Sequence, residues 1–335
     1  MSNQRFRRTC LAGLGALALG AGMLGGSITA QASPVIDGRV SAGADCVPAS
    51  AGLAGRIASK EHYRQGDPTE LTRRQVRRME SQTSQRLAAR PGLEAAAAKQ
   101  AVSSKLTSVP VAVHVIKPGE KARNEVGMKK ARQAIRIMNR GFAGGQHPSA
   151  YESNIRFKLS SYDVTANRGW YTASAQGPEQ REMKRTLHKG DAGTLNVYFN
   201  RPTIAEFTLL GYATFPQNYK DNPKLDGVVI HVESNKGGDF APFNRGDTLT
   251  HEVGHWLGLY HTFQDGCRPR NDFVSDTAPE AGPNFACVRG TDTCTGDSRT
   301  DPIHNFMDYS PDACMWKFTG GQHNRMALHW RAYRN

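Results

Sequence analysis

The 335-residue chain reads as an α+β protein. A twisted, mixed sheet of five strands carries two helices. A third helix follows, and then an irregular, cysteine-rich subdomain that closes on a terminal helix. Three observations predict this. Alternating β-branched runs and helical apolar periods interleave between residues 109 and 232. A helical segment bearing three histidines comes next. Beyond it Gly, Pro, Asp and Cys dominate. That composition cannot build a large core by itself.

At the N-terminus, Arg5, Arg7 and Arg8 precede an apolar run from Leu11 to Ile28, and Ala30-Gln31-Ala32 supplies a small-x-small cleavage site. This order is that of a secretory signal peptide, residues 1–32. It predicts a secreted, extracellular protein with no stable membrane anchor. Residues 33–108 are rich in Arg, Ala and Ser, with helix formers from Glu70 to Gln100. Their apolar residues are too few for an independent core. The segment therefore reads as a pro-segment or loosely attached extension, and Arg73-Arg74 and Arg77-Arg78 stand out in it as release cuts.

The folded domain is expected over 109–335. Val109–Ile116 alternates as a strand does, and Ala131, Ala134, Ile135, Met138 and Phe142 fall at helical spacing. Ile155–Leu159 is the second strand, Pro178–His188 the second helix, and Leu195–Phe199 the third strand. Leu209–Phe215 and Val228–Val232 complete five strands, with the helices expected on one face. A helix over Thr248–Leu257 and another over Thr319–Tyr333 end the series.

Hydrophobic residues make up 38% of the chain and charged residues 22%, ordinary for a packed soluble domain. The net charge is +13; loss of the leader's three Arg leaves +10. This charge is spread along the chain with no nucleic-acid motif, so it reads as solubility charge and nucleic acid is not an expected partner. Of six Cys, Cys10 leaves with the leader, and Cys267, Cys287, Cys294 and Cys314 crowd the C-terminal third. An even cluster in an exported chain means disulfides; four Cys allow three pairings, and Cys46 is left over.

The chemistry is carried by His251-Glu-Val-Gly-His-Trp-Leu-Gly-Leu-Tyr-His261. Residues four apart share a helix face, so His251 and His255 present two imidazoles to one point. Gly258 can adopt the left-handed conformation that ends a helix, which lets His261 return as a third ligand. Three neutral imidazoles with one position left for water describe a catalytic zinc site, and Glu252 is placed to act as its base. Downstream, Asn305-Phe-Met307-Asp-Tyr309 matches the turn whose methionine, here Met307, lies beneath the metal in metzincins.

Among metzincins, the stretch from Val109 to Asn335 most resembles the pappalysin family, the cytophagalysin-like secreted peptidases. The resemblance rests on Leu210–Pro216, His251–Phe263, Val274–Thr277, Asp301-Pro302, Asn305–Tyr309, the four C-terminal Cys and Phe318-Thr319. It implies a metzincin-like catalytic domain and a zinc-dependent endopeptidase of extended polypeptides. Glu252 would move the water's proton and Tyr309 would stabilise the oxyanion. Leu210, Gly211, Tyr212, Ala213 and Thr214 would form the edge strand that pairs with substrate. It also implies disulfides Cys267–Cys294 and Cys287–Cys314.

Calcium is a second candidate cofactor, with Asp272, Asp276 and Thr277 as oxygen ligands; a solvated Asp-rich turn is the alternative. The pocket for the residue after the cut is expected around Ser310–Ala313. There Asp312 would attract Arg or Lys while Ala313 is neutral, which leaves the preference open. Cys46 is a candidate zinc-blocking thiolate that keeps a precursor latent, against an intermolecular disulfide or an idle thiol. Two other readings of the whole chain are an inactive homologue acting as a binding module and a zinc hydrolase of a non-peptide amide. The intact Glu252, three His and Tyr309 argue against the first, the edge strand against the second. The oligomeric state is not legible.

Overall fold

Two more strands join the five expected ones. The computed structural model describes residues 52–335 apart from 65, 102–106, 205–206 and 297. The expected signal peptide and Cys46 lie outside the described residues. The elements run β1 (Leu53–Ile57), α1 (Lys60–Arg64), α2 (Arg73–Ala88), α3 (Leu93–Ala101), β2 (Thr107–Lys117), α4 (Met128–Phe142), β3 (Ile155–Ala166), α5 (Arg168–Tyr171) and α6 (Pro178–Leu187). They continue through β4 (Leu195–Asn200), β5 (Thr203–Ile204), β6 (Phe207–Thr214), β7 (Val228–His231), α7 (Asp247–Trp256) and α8 (Gly320–His329).

The sheet order is β1-β6-β7-β4-β2-β3, with β5 paired to β6 alone. β3, β2, β4 and β7 run parallel, and β6 is antiparallel to β7. Pro110 lies in β2 just before that strand begins to pair with β4, so its missing N–H costs that ladder nothing.

Val109, Val111, Val113 and Val115 of β2 face the helical stripe Ala131, Ala134, Ile135, Met138 and Phe142 of α4, and Leu249, Val253 and Trp256 of α7 complete this core. On the other sheet face Ile116, Tyr198, Tyr212 and Val229 meet Trp170, Tyr171 and Met183 of α5 and α6. Helices therefore cover both faces, where the sequence reading put them on one. Parallel strands need crossover connections, and the α5–α6 crossover packs opposite to α4.

The N-terminal extension is built in more firmly than its composition suggests. β1 adds an antiparallel strand outside β6. Helix α2 starts on a Thr72–Gln75 capping box and buries Val76 and Met79, which join a small core with Leu71, Phe215 and Tyr260. The helical run expected over Glu70–Gln100 is broken at Pro91-Gly92, where Gly92 takes φ +86°.

After α7 the chain is mostly irregular, as expected. Cys267–Cys294 and Cys287–Cys314 are bonded in the crossed pattern the resemblance implied. Helix α8 has its own capping box, Thr319–Gln322. The C-terminal tail is locked by Arg334, whose guanidinium lies 2.6 Å from Asp226 and 3.9 Å above the Trp256 ring. Among the described residues no helix is long and apolar enough to cross a membrane.

Candidate active site

Helix α7 lies beneath β6 and carries His251, Glu252 and His255 wholly buried. It ends at Trp256 with Leu257 as its cap, and Gly258 follows with φ +99°. A side chain there would be strained by that φ and would also strike the His329 ring, 2.5 Å from an added Cβ. The reversal returns His261 to the helix. His255 Nε2 lies 3.1 Å from His251 Nε2 and 3.0 Å from His261 Nε2. Ligands of a tetrahedral zinc at roughly 2.0–2.1 Å stand about 3.3 Å apart, so this spacing fits the ion closely.

The surroundings fit it too. His251 Nδ1 is 2.6 Å from Phe306 O and His255 Nδ1 is 2.8 Å from Leu259 O. Each Nδ1–H thus donates to a carbonyl, and Nε2 is left with its lone pair for a metal. Burial is the main cause that pushes all three imidazoles toward the neutral form, His255 to about 4. Both carboxylate oxygens of Glu252 are buried without a hydrogen-bond partner, an orphaned group that a water attacking beside the metal would satisfy.

Met307 is fully buried under α7. A Cβ on Gly254 would sit 2.4 Å from its sulfur, so the glycine inside the histidine motif is what lets this turn approach. The Tyr309 ring stands 4.9 Å from the His261 ring by centroids. Leu210 to Thr214 lie in β6, and β1 is laid against them: Leu53 opposite Thr214, Ala54 opposite Ala213, Gly55 opposite Tyr212 and Arg56 opposite Gly211.

The residues that sequence reasoning missed all belong to this N-terminal segment. Tyr309 Oη lies 2.6 Å from the Gly55 carbonyl oxygen and 2.9 Å from Asp67 Oδ2, sharing its one proton between them. Thr69 also donates to the Gly55 carbonyl, at 3.1 Å. The His261 ring faces this same carbonyl. The Arg56 backbone amide faces Glu252 without reaching full hydrogen-bond geometry.

The Arg56 side chain enters a closed pocket. Its guanidinium donates to Asp312 Oδ1 at 2.9 Å and to the Ser310 carbonyl, touches Met315 sulfur at 3.8 Å, and lies over the Phe243 ring. Asp312 is held from behind, its Oδ2 accepting the backbone N–H groups of Arg245 and Gly246 at 2.8 and 3.1 Å, where α7 begins. Asp312 was legible as an acidic residue at the expected pocket. Arg56 carried no signal, because a buried Arg and a solvated one look alike in sequence.

The candidate calcium ligands divide between two tasks. Asp272 accepts from Thr277 Oγ1 and from Val274 N–H, and burial pushes its carboxyl up to about 7. Asp276 instead accepts from Thr319 Oγ1 and Gly321 N–H, both at 2.7 Å, at the start of α8.

Comparison with known proteins agrees with this geometry. The family model described as Pregnancy-associated plasma protein-A (Peptidase_M43) matches residues 193–329. The chain is 42% identical to Extracellular metalloprotease 1 of Coccidioides posadasii (strain C735) over 203 residues, 60% of this chain and 68% of that protein. To an extracellular metalloprotease of Verticillium alfalfae it is 40% identical over 232 residues, 68% of this chain and 77% of the relative. Among solved structures, mature mirolysin of Tannerella forsythia in complex with a cleaved peptide is similar with TM-score 0.57 and 30% identity. It covers 69% of this chain, which spans 96% of it. A promirolysin mutant gives TM-score 0.61 and 30% identity, with 80% and 94% covered.

Proposed function

The chain belongs to the pappalysin family of zinc metalloproteases, and we propose that it is a secreted endopeptidase that cuts polypeptides on the N-terminal side of arginine. The observation that carries the specificity is Arg56 on Asp312. Both side chains are fully buried, so the pair works in a medium where a neutral partner could not replace either charge.

His251, His255 and His261 would hold a zinc ion, which would supply Lewis acidity when bound. The chain's own residues do the rest. β6 binds substrate as an extended strand through main-chain hydrogen bonds. Glu252 takes a proton from the attacking water and gives it to the leaving nitrogen. The Tyr309 hydroxyl donates to the scissile carbonyl oxygen as charge develops there. Asp312 fixes the register by holding the arginine after the cut.

The extracellular names of the fungal relatives support secretion, as does the expected leader at residues 1–32. A latent precursor is supported by promirolysin covering more of this chain than mature mirolysin does. Within that reading Cys46 remains a candidate inhibitory ligand, and Asp272 with Thr277 a candidate calcium site.

The test is a peptide library read by mass spectrometry. Cuts concentrated before Arg support the reading, and cuts indifferent to the following residue overturn it.

A further inference from the structure

We propose that the outer face of α2, with the arginine-lined pocket beside it, docks a sulfated polysaccharide. Arg73, Arg74, Arg77 and Arg78 are all exposed on this helix. They lie in the helical backbone of α2, which must unwind before a protease could take it as an extended strand. At about 100° per residue they share one arc of roughly 140° with Ser81, Ser84, Gln85 and Ala88. Val76, Met79 and Thr83 are buried on the opposite side. The arc carries no acid, no aromatic ring and no large apolar side chain. Glu80, the acid within α2, lies off the arc and is taken up by Arg325.

A pocket of about 570 Å³ continues this charge. Arg268, Arg270 and Arg299 line it together with Asn271, Ser275 and Thr277, and among the described residues no acid does. Asp272 and Asp276 lie in the same loop but are spent elsewhere. Asp272 accepts from Thr277 and Val274, and Asp276 accepts from Thr319 and Gly321. The pocket loop is fastened to α2. Arg73 Nε lies 3.3 Å from Asp265 Oδ1, and Gln264 donates to the Leu71 carbonyl at 3.0 Å. Phe273 packs against the cluster that buries Val76 and Met79. Seven guanidinium groups thus gather on two adjoining elements.

The occupant follows from what this surface offers. All seven cations are Arg, whose guanidinium is weakly hydrated and presents a planar fork to an oxyanion. A sulfate ester keeps its charge at every ordinary pH and suits such a donor. Repetition along the helix calls for a chain of anions. The pocket has the volume of a small-molecule site, enough for a sugar ring and too large for one Asp or Glu side chain to fill. A bilayer would need large apolar side chains to bury, and a single-stranded nucleic acid would need aromatic rings to stack on. The α2 arc has neither.

The test is the salt dependence of heparin binding by the secreted protein. With seven contacts, affinity should fall about 10³-fold between about 50 and 200 mM salt, by the counterion release seen with other polyanions. Arg73→Gln/Arg74→Gln/Arg77→Gln/Arg78→Gln leaves three contacts and should lose only about 10- to 50-fold over that range. Arg268→Gln/Arg270→Gln should flatten the dependence as well. Gln is a good helix former, so thermal midpoint and cleavage of an Arg-containing peptide should stay at wild-type values in both variants. Changing four exposed cations elsewhere, Lys121, Lys129, Arg132 and Arg136, to Gln should leave heparin binding unchanged. An equal loss in that control means that net charge alone binds heparin, and it overturns the proposal. So does a wild type that fails to bind heparin, or one that binds polyglutamate or phosphatidylserine vesicles more tightly. None of these outcomes touches the endopeptidase reading, which the peptide assay checks by itself.

Discussion

Arg56 and Asp312 meet at 2.9 Å with no solvent exposure on either side chain. The carboxylate is already turned toward its guest, because its other oxygen is tied to the backbone amides of Arg245 and Gly246. Asp312→Asn keeps the size and an acceptor oxygen but removes the charge. Leaving one partner of a buried pair alone costs about 3–5 kcal/mol. For peptides with Arg after the cut, kcat/KM should fall about 10²-fold or more, while peptides with Met there change little. If Asp312→Asn keeps the wild-type preference for Arg over Met, the pocket does not act through this charge.

Glu252→Gln should keep zinc, because the three imidazoles are untouched, and lose turnover. A positioned acid–base group contributes roughly 10²–10⁴-fold. His261→Ala should lose both metal and turnover, since it removes a ligand. Metal content after dialysis separates the two variants. A zinc-replete Glu252→Gln with near-wild-type turnover would falsify the base assignment.

Tyr309 is buried among His251, His261, Phe263 and Phe285, yet its hydroxyl reaches the Gly55 carbonyl. Tyr309→Phe preserves the ring packing and deletes one donor, worth about 10²–10³ in kcat for an oxyanion contact. Zinc content and thermal stability should hold while kcat drops. An unchanged kcat would reduce Tyr309 to a packing residue.

These three sites were readable in the sequence for a physical reason. His251, Glu252 and His255 lie on one helical turn, so their juxtaposition is fixed by local periodicity. His261 follows after a single glycine turn. Tyr309 came through resemblance, since nothing local ties it to the zinc helix 50-odd residues away. β1 shows where such reading ends. Leu53-Ala-Gly-Arg-Ile57 has two large apolar residues and a glycine, a weak strand signal. It becomes a strand only because β6 offers a free edge more than 150 residues later. Likewise α6 and α4 both show an apolar stripe, but the stripe does not say which sheet face it will cover.

Lys184 gives a pH test away from the metal. It is wholly buried, donating to the Leu225 and Gly227 carbonyls, and desolvation pushes its pKa from 10.5 down to about 8. Between those values the unfolded chain holds a proton that the folded one has released, so stability should rise with pH across about 8 to 10.5. Urea unfolding of wild type against Lys184→Met isolates the slope. Parallel pH profiles would mean that Lys184 keeps its proton throughout.

Glu80 decides whether α2 belongs to the catalytic domain in energy as well as in position. Its carboxylate lies 2.6 Å from the Arg325 guanidinium and accepts the Tyr260 hydroxyl at 2.8 Å. Arg325 in turn donates to the carbonyl of Gly258, the residue that turns the chain toward His261. Glu80 thus supports the zinc loop from outside, through Arg325 on one side and Tyr260 on the other. The Glu80 side chain is 21% exposed and that of Arg325 10%, so the pair is weaker than a fully buried one. Glu80→Ala should cost about 2–3 kcal/mol, since Arg325 keeps its other partners but loses its counter-charge. The Arg325→Met/Glu80→Leu pair, which replaces both charges by apolar groups, should recover much of that. Denaturant midpoints of the single and double variants read this directly. If Glu80→Ala leaves the midpoint unmoved, its carboxylate does not tie α2 to the domain.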